Sequence, residues 1–191
     1  MNDNWIEIVE TLQPYAKCNS TELNYQQEIE NCLKFLGWRS SNKTMQSQLT
    51  LGFGAGNKLR PDIILYKNGI PVLPIEIKRP DNVCNDKQVG QLGNYMRQLK
   101  SNVGLYFGEN IRFYYDNPDD LDNPVNVLTI ELSKETEDIT FDSKLRIKFV
   151  GTASADMEGA YKYKAEIKRF LKEIGRVDLL KELGVRSEAS N

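Results

Sequence analysis

The sequence predicts an α/β domain, a central sheet flanked by helices with further helical sequence toward its C-terminal end. Three observations carry that prediction. Tyr25, Ile29, Leu33 and Leu36 form an apolar stripe at helical spacing. Two apolar runs flank Lys67-Asn68-Gly69 in the manner of a β-hairpin. A helical stretch from about Asp86 to Lys100 then leads into two more strand-like runs, Val103 to Phe107 and Ile111 to Tyr115.

Taken in chain order, Trp5, Ile6, Ile8, Val9 and Leu12 recur at near-helical spacing and predict a short packing helix that ends before Pro14. Ser20 or Thr21 opens the second helix, Glu22 sits in its first turn, Gly37 supplies the stop and Trp38 leads out into the sheet. Gln46 to Phe53 alternates as one strand, followed by a loop carrying Gly52, Gly54 and Gly56. That loop is not a nucleotide cradle, because Gly56-Asn57-Lys58-Leu59 lacks the Gly-Lys-Ser/Thr ending. Gly108-Glu109-Asn110 joins the two strands after the Asp86 helix, and Val125 to Leu132 makes another. Asn117 to Asn123 carries Asp119, Asp120 and Asp122 without the glycine and terminal glutamate of a calcium loop, and reads as a solvated turn. From Asp156 to Leu183, Ile167, Phe170, Leu171 and Ile174 fall at helical spacing with Lys162, Lys164, Lys168, Arg169 and Lys172 among them. Ser187 to Asn191 reads as a frayed end.

Composition removes several kinds of chemistry. The chain has 191 residues, enough for one core with a small helical appendage. It has no histidine, which excludes Ser-His-Asp and Cys-His catalysis and histidine-ligated metal sites. Cys18, Cys32 and Cys84 are odd in number and match no zinc spacing, so they are expected to be buried or inert thiols. No apolar run approaches the roughly 20 residues of a membrane helix, and Met1-Asn2-Asp3-Asn4-Trp5 does not resemble a signal peptide, which points to the cytoplasm. A net charge of −2 argues against a protein that grips nucleic acid by bulk electrostatics, and leaves room only for a local basic patch.

The chemistry concentrates around the hairpin, in Arg60-Pro61-Asp62-Ile63-Ile64-Leu65-Tyr66 and Ile70-Pro71-Val72-Leu73-Pro74-Ile75-Glu76-Ile77-Lys78. If Lys67-Asn68-Gly69 forms a three-residue connection, Tyr66 pairs with Ile70 and Asp62 with Pro74. Asp62, Pro74, Glu76 and Lys78 then share one face, while Leu73, Ile75 and Ile77 point into the core. Asp62 and Glu76 become diagonal neighbours within about 7 Å. A two-residue turn would shift the register by one and separate them. Two carboxylates so placed repel and raise each other's pKa unless a cation lies between them. A hard divalent ion such as Mg²⁺ takes oxygen ligands of this kind, and the Ile77 carbonyl offers one more. Lys78 is then placed to orient a water or to stabilise developing charge.

Pro61-Asp62, thirteen intervening residues and Glu76-Ile77-Lys78 resemble the PD-(D/E)XK nuclease signature. With Leu36-Gly37-Trp38, Arg60-Pro61-Asp62 and Glu76-Ile77-Lys78-Arg79-Pro80, the chain from about residue 20 to 115 resembles the N-terminal nuclease domain of type I restriction enzyme R subunits. Gln91 and Tyr95 match the Gln-x-x-x-Tyr motif of that family and of RecB-like nucleases, and four-residue spacing puts both on one helix face, where they can approach the metal site or a DNA phosphate. The family also carries a glutamate on the helix before the sheet. Glu22, on the stripe with Tyr25 and Ile29, is preferred to Glu28 for that place.

The resemblance implies a restriction-endonuclease-like core with a central mixed sheet. It implies Mg²⁺-dependent cleavage of DNA by Asp62, Glu76 and Lys78, with Asp62, Glu76, Ile77 and Glu22 around the metal and Mn²⁺ as a possible substitute. Residues 1–155 would form the nuclease domain, and 156–191 a helical extension that packs on it, offers a weak DNA-contacting face or connects to a motor domain. ATP would act only through that motor, and modification and specificity subunits would supply sequence choice. Two other readings stay open: a non-catalytic nucleic-acid-binding or assembly module with the same fold, and a stand-alone resolvase or repair nuclease.

Overall fold

The computed structural model describes residues 3–18, 20–53, 57–117, 122–132 and 157–180. Two helices lead, α1 (Asp3–Lys17) and α2 (Glu22–Phe35), followed by five strands: β1 (Met45–Ser47), β2 (Leu51–Phe53), β3 (Asn57–Leu59), β4 (Ile63–Lys67) and β5 (Ile70–Ile77). Helix α3 (Asp86–Leu99) crosses over to β6 (Val103–Phe107), β7 (Asn110–Tyr115) and β8 (Val125–Glu131), and α4 (Met157–Glu173) closes the fold with a 3-10 turn at Val177–Leu180. Six strands form one sheet in the order β1-β4-β5-β6-β7-β8, and β2-β3 is a separate hairpin. Among the described strands only β5 and β6 run parallel, joined by α3, so the sheet is mixed and flanked by helices, as expected.

The two sheet faces differ. On one, Ile63, Leu65, Leu73, Ile75, Ile77, Leu105 and Phe113 meet Trp5, Ile8, Val9 and Leu12 of α1, Tyr25, Ile29 and Leu33 of α2, and Ile167, Phe170 and Leu171 of α4. On the other, α3 lays Leu92, Tyr95 and Met96 against Tyr106 and Tyr114. The approach of α3 requires Gly104, where a Cβ would lie 2.7 Å from the Met96 sulfur.

Helix ends follow from local chemistry. Thr21 caps α2 by accepting the Asn24 N–H, and Asn85 forms a capping box with Gln88 on α3. Gly37, at φ +100°, ends α2 with paired bonds from Trp38 N–H to the Leu33 carbonyl and from Gly37 N–H to the Lys34 carbonyl. Gly175, at φ +78°, does the same for α4, so the single helical stretch expected from Asp156 to Leu183 divides there.

Two further expectations are corrected. Helix α1 runs through Pro14 instead of stopping before it, and the lost backbone bond is offset by Tyr15, which packs on the core and donates to Glu28 Oε1 at 3.2 Å. The strand expected over Gln46 to Phe53 breaks at Gln48, whose backbone turns to φ +52° so that its N–H reaches the Asp62 carbonyl at 2.8 Å. Cys18 is exposed; Cys32 is buried, which pushes its thiol up to about 12, and Cys84 is half-buried beside the Tyr114 hydroxyl at 3.5 Å. Asp119 and Asp120, Gly54 and Gly56, residues 187–191, and the side chains of Lys162 and Lys164 lie outside the described residues.

Candidate active site

The hairpin register differs from the expected one in two steps that act together. Asn68 and Gly69, at φ +52° and +76°, form a two-residue turn, so Lys67 pairs with Ile70 and Tyr66 with Pro71. The ladder then shifts between Leu65 and Tyr66: Leu65 faces Leu73, Ile64 faces Pro74 and Ile63 faces Ile75. Val72 is left over as a bulge beside Pro71, which has no N–H to give the ladder. Its carbonyl accepts from Ser101 Oγ at 3.0 Å. The turn alone would have put Asp62 and Glu76 on opposite faces. Turn and bulge together restore a common face, and the register continued by one residue sets Asp62 directly opposite Glu76, closer than the diagonal expected.

Asp62 ends as an anchored carboxylate, its Oδ2 accepting the Ile77 N–H at 2.7 Å. Glu76, 1 % exposed, lies on the α3 side of the sheet, paired in register with Tyr106. Lys78 Nζ stands 2.6 Å from Glu76 Oε1, 3.0 Å from the Ile77 carbonyl and 3.6 Å from Glu22 Oε1. The Lys78 main chain is fixed too, its N–H donating to the Phe107 carbonyl at 2.8 Å. Close as the ion pair is, neither Glu76 oxygen takes a hydrogen bond of normal geometry.

The charges respond to this crowding. Burial, with Asp62 alongside, pushes Glu76 up to about 7, and Lys78 only partly offsets the rise. Asp62 is also raised, chiefly by burial, against the pull of the Ile77 N–H and Lys78. Burial alone would lower the Lys78 ammonium, but Glu76, Asp62 and Glu22 outweigh it and the net direction is up. The centre therefore holds a protonated lysine and a buried acid whose ionisation is costly without more positive charge.

The structure brings Asp62, Glu76, the Ile77 carbonyl, Lys78 and Glu22 together at the C-terminal end of β5, where the sheet changes from antiparallel to parallel pairing. Glu28 goes elsewhere, to Tyr15 and Asn31. Gln91 and Tyr95 are hydrogen-bonded to each other, and the Tyr95 hydroxyl donates to the Arg60 carbonyl at 3.1 Å, just ahead of Asp62. Burial first, then the nearby Glu76 and Asp62, raise the Tyr95 phenol. Sequence reasoning missed Tyr25, whose buried hydroxyl donates to the Gly108 carbonyl at 2.8 Å. That bond ties the helix carrying Glu22 to the strand end that holds Lys78, and a core tyrosine gives no sequence signal for it.

The donor set is all oxygen, and the poorly satisfied Glu76 carboxylate is the kind of buried acceptor that a small hard cation would complete. Among the described residues no group of three or more His, Cys, Asp or Glu is already gathered to hold a metal. No helix among them is long and apolar enough to cross a membrane. A family model described as type I restriction enzyme R protein N terminus matches residues 26–122 and so spans Asp62, Glu76, Lys78, Gln91 and Tyr95, but not Glu22 or α4. No curated protein matches the chain. The match covers just over half of the sequence, and the chain belongs to the family of type I restriction enzyme R protein N-terminal domains.

Proposed function

We propose that this domain cleaves DNA phosphodiester bonds as a divalent-cation-dependent endonuclease, with Asp62 and Glu76 holding the cation and Lys78 managing charge at the scissile phosphate. The observation that carries this reading is the buried Glu76 carboxylate opposite Asp62, with Lys78 Nζ at 2.6 Å. Mg²⁺ suits such oxygen donors, with the Ile77 carbonyl in reach and Glu22 at the rim, and Mn²⁺ would also be accepted. When bound, such a cation lowers the pKa of a coordinated water and offsets charge on the phosphate.

The chain's own residues do the rest. The Ile77 N–H orients Asp62, and the Phe107 carbonyl fixes the Lys78 backbone. Glu22, about half exposed, offers the ammonium a second carboxylate, so Lys78 can swing from Glu76 toward a phosphate oxygen while staying protonated. A protonated lysine stabilises developing negative charge and orients water, and does not act as the base. Gln91 and Tyr95 steady the chain at Arg60, just before Asp62. In the assembled enzyme, ATP would act through a motor domain, and modification and specificity subunits would choose the sequence.

A second reading has one observation in its favour. The Lys78 ammonium already bridges Glu76 Oε1 and the Ile77 carbonyl, a tethered cation standing where a metal would be, which suits a non-catalytic DNA-binding or assembly module. Nicking of supercoiled plasmid with Mg²⁺ or Mn²⁺ separates the two. The nuclease reading expects metal-dependent nicking that EDTA stops and that Lys78→Ala lowers by about 100-fold or more. If the unsubstituted chain is inert, calorimetry decides: Mg²⁺ or Mn²⁺ binding that vanishes in Asp62→Ala means a competent centre awaiting its partners. Absence of binding favours the non-catalytic module.

A further inference from the structure

Charge is segregated along this chain. Between Glu30 and Glu76 lie six cationic residues, Lys34, Arg39, Lys43, Lys58, Arg60 and Lys67, and one carboxylate, Asp62 itself. That stretch carries +5 in a chain of −2, so the remaining residues carry −7. Its cations sit near the end of α2, in the loop to the outermost strand β1, on and just after the β2-β3 hairpin and at the end of β4.

The loop before β1 is built rather than loose. Arg39 N–H donates to Thr44 Oγ1 at 2.9 Å, Thr44 N–H to the Arg39 carbonyl at 3.1 Å, and Lys43 N–H to the Ser40 carbonyl at 3.1 Å. Lys43 itself adopts φ +59°, a conformation an ordinary side chain adopts at a cost. These bonds hold Arg39, Ser40, Ser41 and Lys43 outward, all exposed. Two grooves meet at Ser40. One, of about 510 Å³, is lined by Lys34, Phe35, Arg39 and Ser41; the other, of about 600 Å³, runs past Lys43, Gln46, Ser47 and Tyr66. Among the described residues no carboxylate lines either groove. Among the described residues Arg39 and Lys43 make no ion pair, whereas Lys34 has Glu30 at 4.0 Å.

The second groove lies along β1, whose far end reaches the residue that starts the candidate centre. The Thr44 carbonyl accepts from Tyr66 N–H at one end of β1, and Gln48 N–H donates to the Asp62 carbonyl at the other. Four residues at ~3.3 Å each put these ends ~13 Å apart. That is about four base-pair steps of duplex DNA at ~3.4 Å.

We propose that this basic edge, with Lys34, Arg39 and Lys43 at its centre, binds the phosphate backbone of duplex DNA a few base pairs from the Asp62–Glu76 centre. The inference rests on the nuclease reading for its direction along the DNA, but the surface is testable without cleavage. Cations on a rigid loop neutralise phosphates in place and release counterions, and the hydroxyls beside them add neutral donors. Segregation also bears on how a chain of net negative charge can hold a polyanion: Glu30, near Lys34, and Glu173, bonded to the Trp38 indole, approach this edge, but neither pairs with Arg39 or Lys43.

The test is fluorescence anisotropy of a labelled blunt duplex with the full chain in EDTA at several salt concentrations. The variant combines Lys34→Ala, Arg39→Ala and Lys43→Asn; asparagine is chosen because it tolerates positive φ. The expected result is binding on the order of ten- to a hundredfold weaker at low salt, with a log–log salt slope shallower by about 2 to 3. A charge-keeping variant, Lys34→Arg with Arg39→Lys, should retain both affinity and slope, which a purely structural role for the loop would not predict. An unchanged slope in the triple variant overturns the proposal. So does an absence of salt-dependent duplex binding by the unsubstituted chain, an outcome that would favour an acidic protein surface as the partner. Failure of the nuclease reading looks different: plasmid stays intact with every metal while duplex binding still depends on the three cations.

Discussion

The two faces of the six-stranded sheet are packed by different chemistry. The face under α1, α2 and α4 is almost wholly aliphatic and aromatic, with Ile63, Leu65, Leu73, Ile75 and Ile77 fully or nearly fully buried. The face under α3 is smaller and carries hydroxyls, a carboxamide and a carboxylate: Tyr95, Tyr106, Tyr114, Gln88 and Glu76. One strand serves both, since Ile75 and Ile77 point one way and Glu76 the other. The contrast teaches that the stabilising side holds the strand rigid while the polar side accepts an electrostatic cost in one place.

The largest expected effect lies on the apolar face. Phe113 is fully buried and meets Phe170 edge-on at 5.5 Å, so Phe113→Ala should cost about 3 to 5 kcal/mol in urea unfolding. A loss below about 1 kcal/mol would break the comparison, because it would mean that α4 contributes little to this core.

The polar face should show itself in pH. Glu76 ordinarily titrates at 4.5 and is raised to about 7 in the fold, so the folded state holds that proton more tightly than the unfolded chain. Its stabilising effect is complete below about 4.5 and is lost as pH rises through about 7. Asp62, raised as well, acts in the same sense. Lys78, raised above 10.5, stays charged throughout and does not alter the slope between pH 5 and 8. In EDTA the protein should therefore be less stable at pH 8 than at pH 5 by up to about 3 kcal/mol. Glu76→Gln should flatten most of that dependence, and stability that rises with pH over this range would contradict the burial of an uncompensated acid.

A smaller effect sharpens the picture. Tyr95→Phe removes the hydroxyl that donates to the Arg60 carbonyl and should cost about 1 kcal/mol in unfolding. If Tyr95 steadies Asp62, metal-dependent nicking should fall by more than that modest destabilisation explains. Equal nicking rates would confine Tyr95 to packing.

Much of the framework was legible because its signals are local. Thr21 as a helix cap, Gly37 as a stop and the strand runs after α3 all depend on residues close in sequence. The hairpin register was not, because Lys67-Asn68-Gly69 is compatible with both a two- and a three-residue connection, and the bulge at Val72 is decided by pairing across two strands. Nor was the break at Gln48, where a residue without special backbone preference takes positive φ to reach Asp62. Asp62, Glu76 and Lys78 could be grouped from alternation, and Glu22 was preferred to Glu28 by its helix face. That Tyr25 braces the same corner through Gly108 depends on a contact 83 residues away in the chain.

The leftover residue in β5 bears on how relatives of this chain should be sought. Between Asp62 and Glu76 stand five facing pairs, a two-residue turn and Val72. Deleting Val72 would leave every pair with the same partner and both carboxylates where they are, with twelve intervening residues in place of thirteen. The strand-to-strand correspondence is thus what such a deletion leaves unchanged, while the linear gap shortens by one. A search that fixes the gap would pass over homologues whose centres superpose on this one, whereas a search that scores facing positions would retain them.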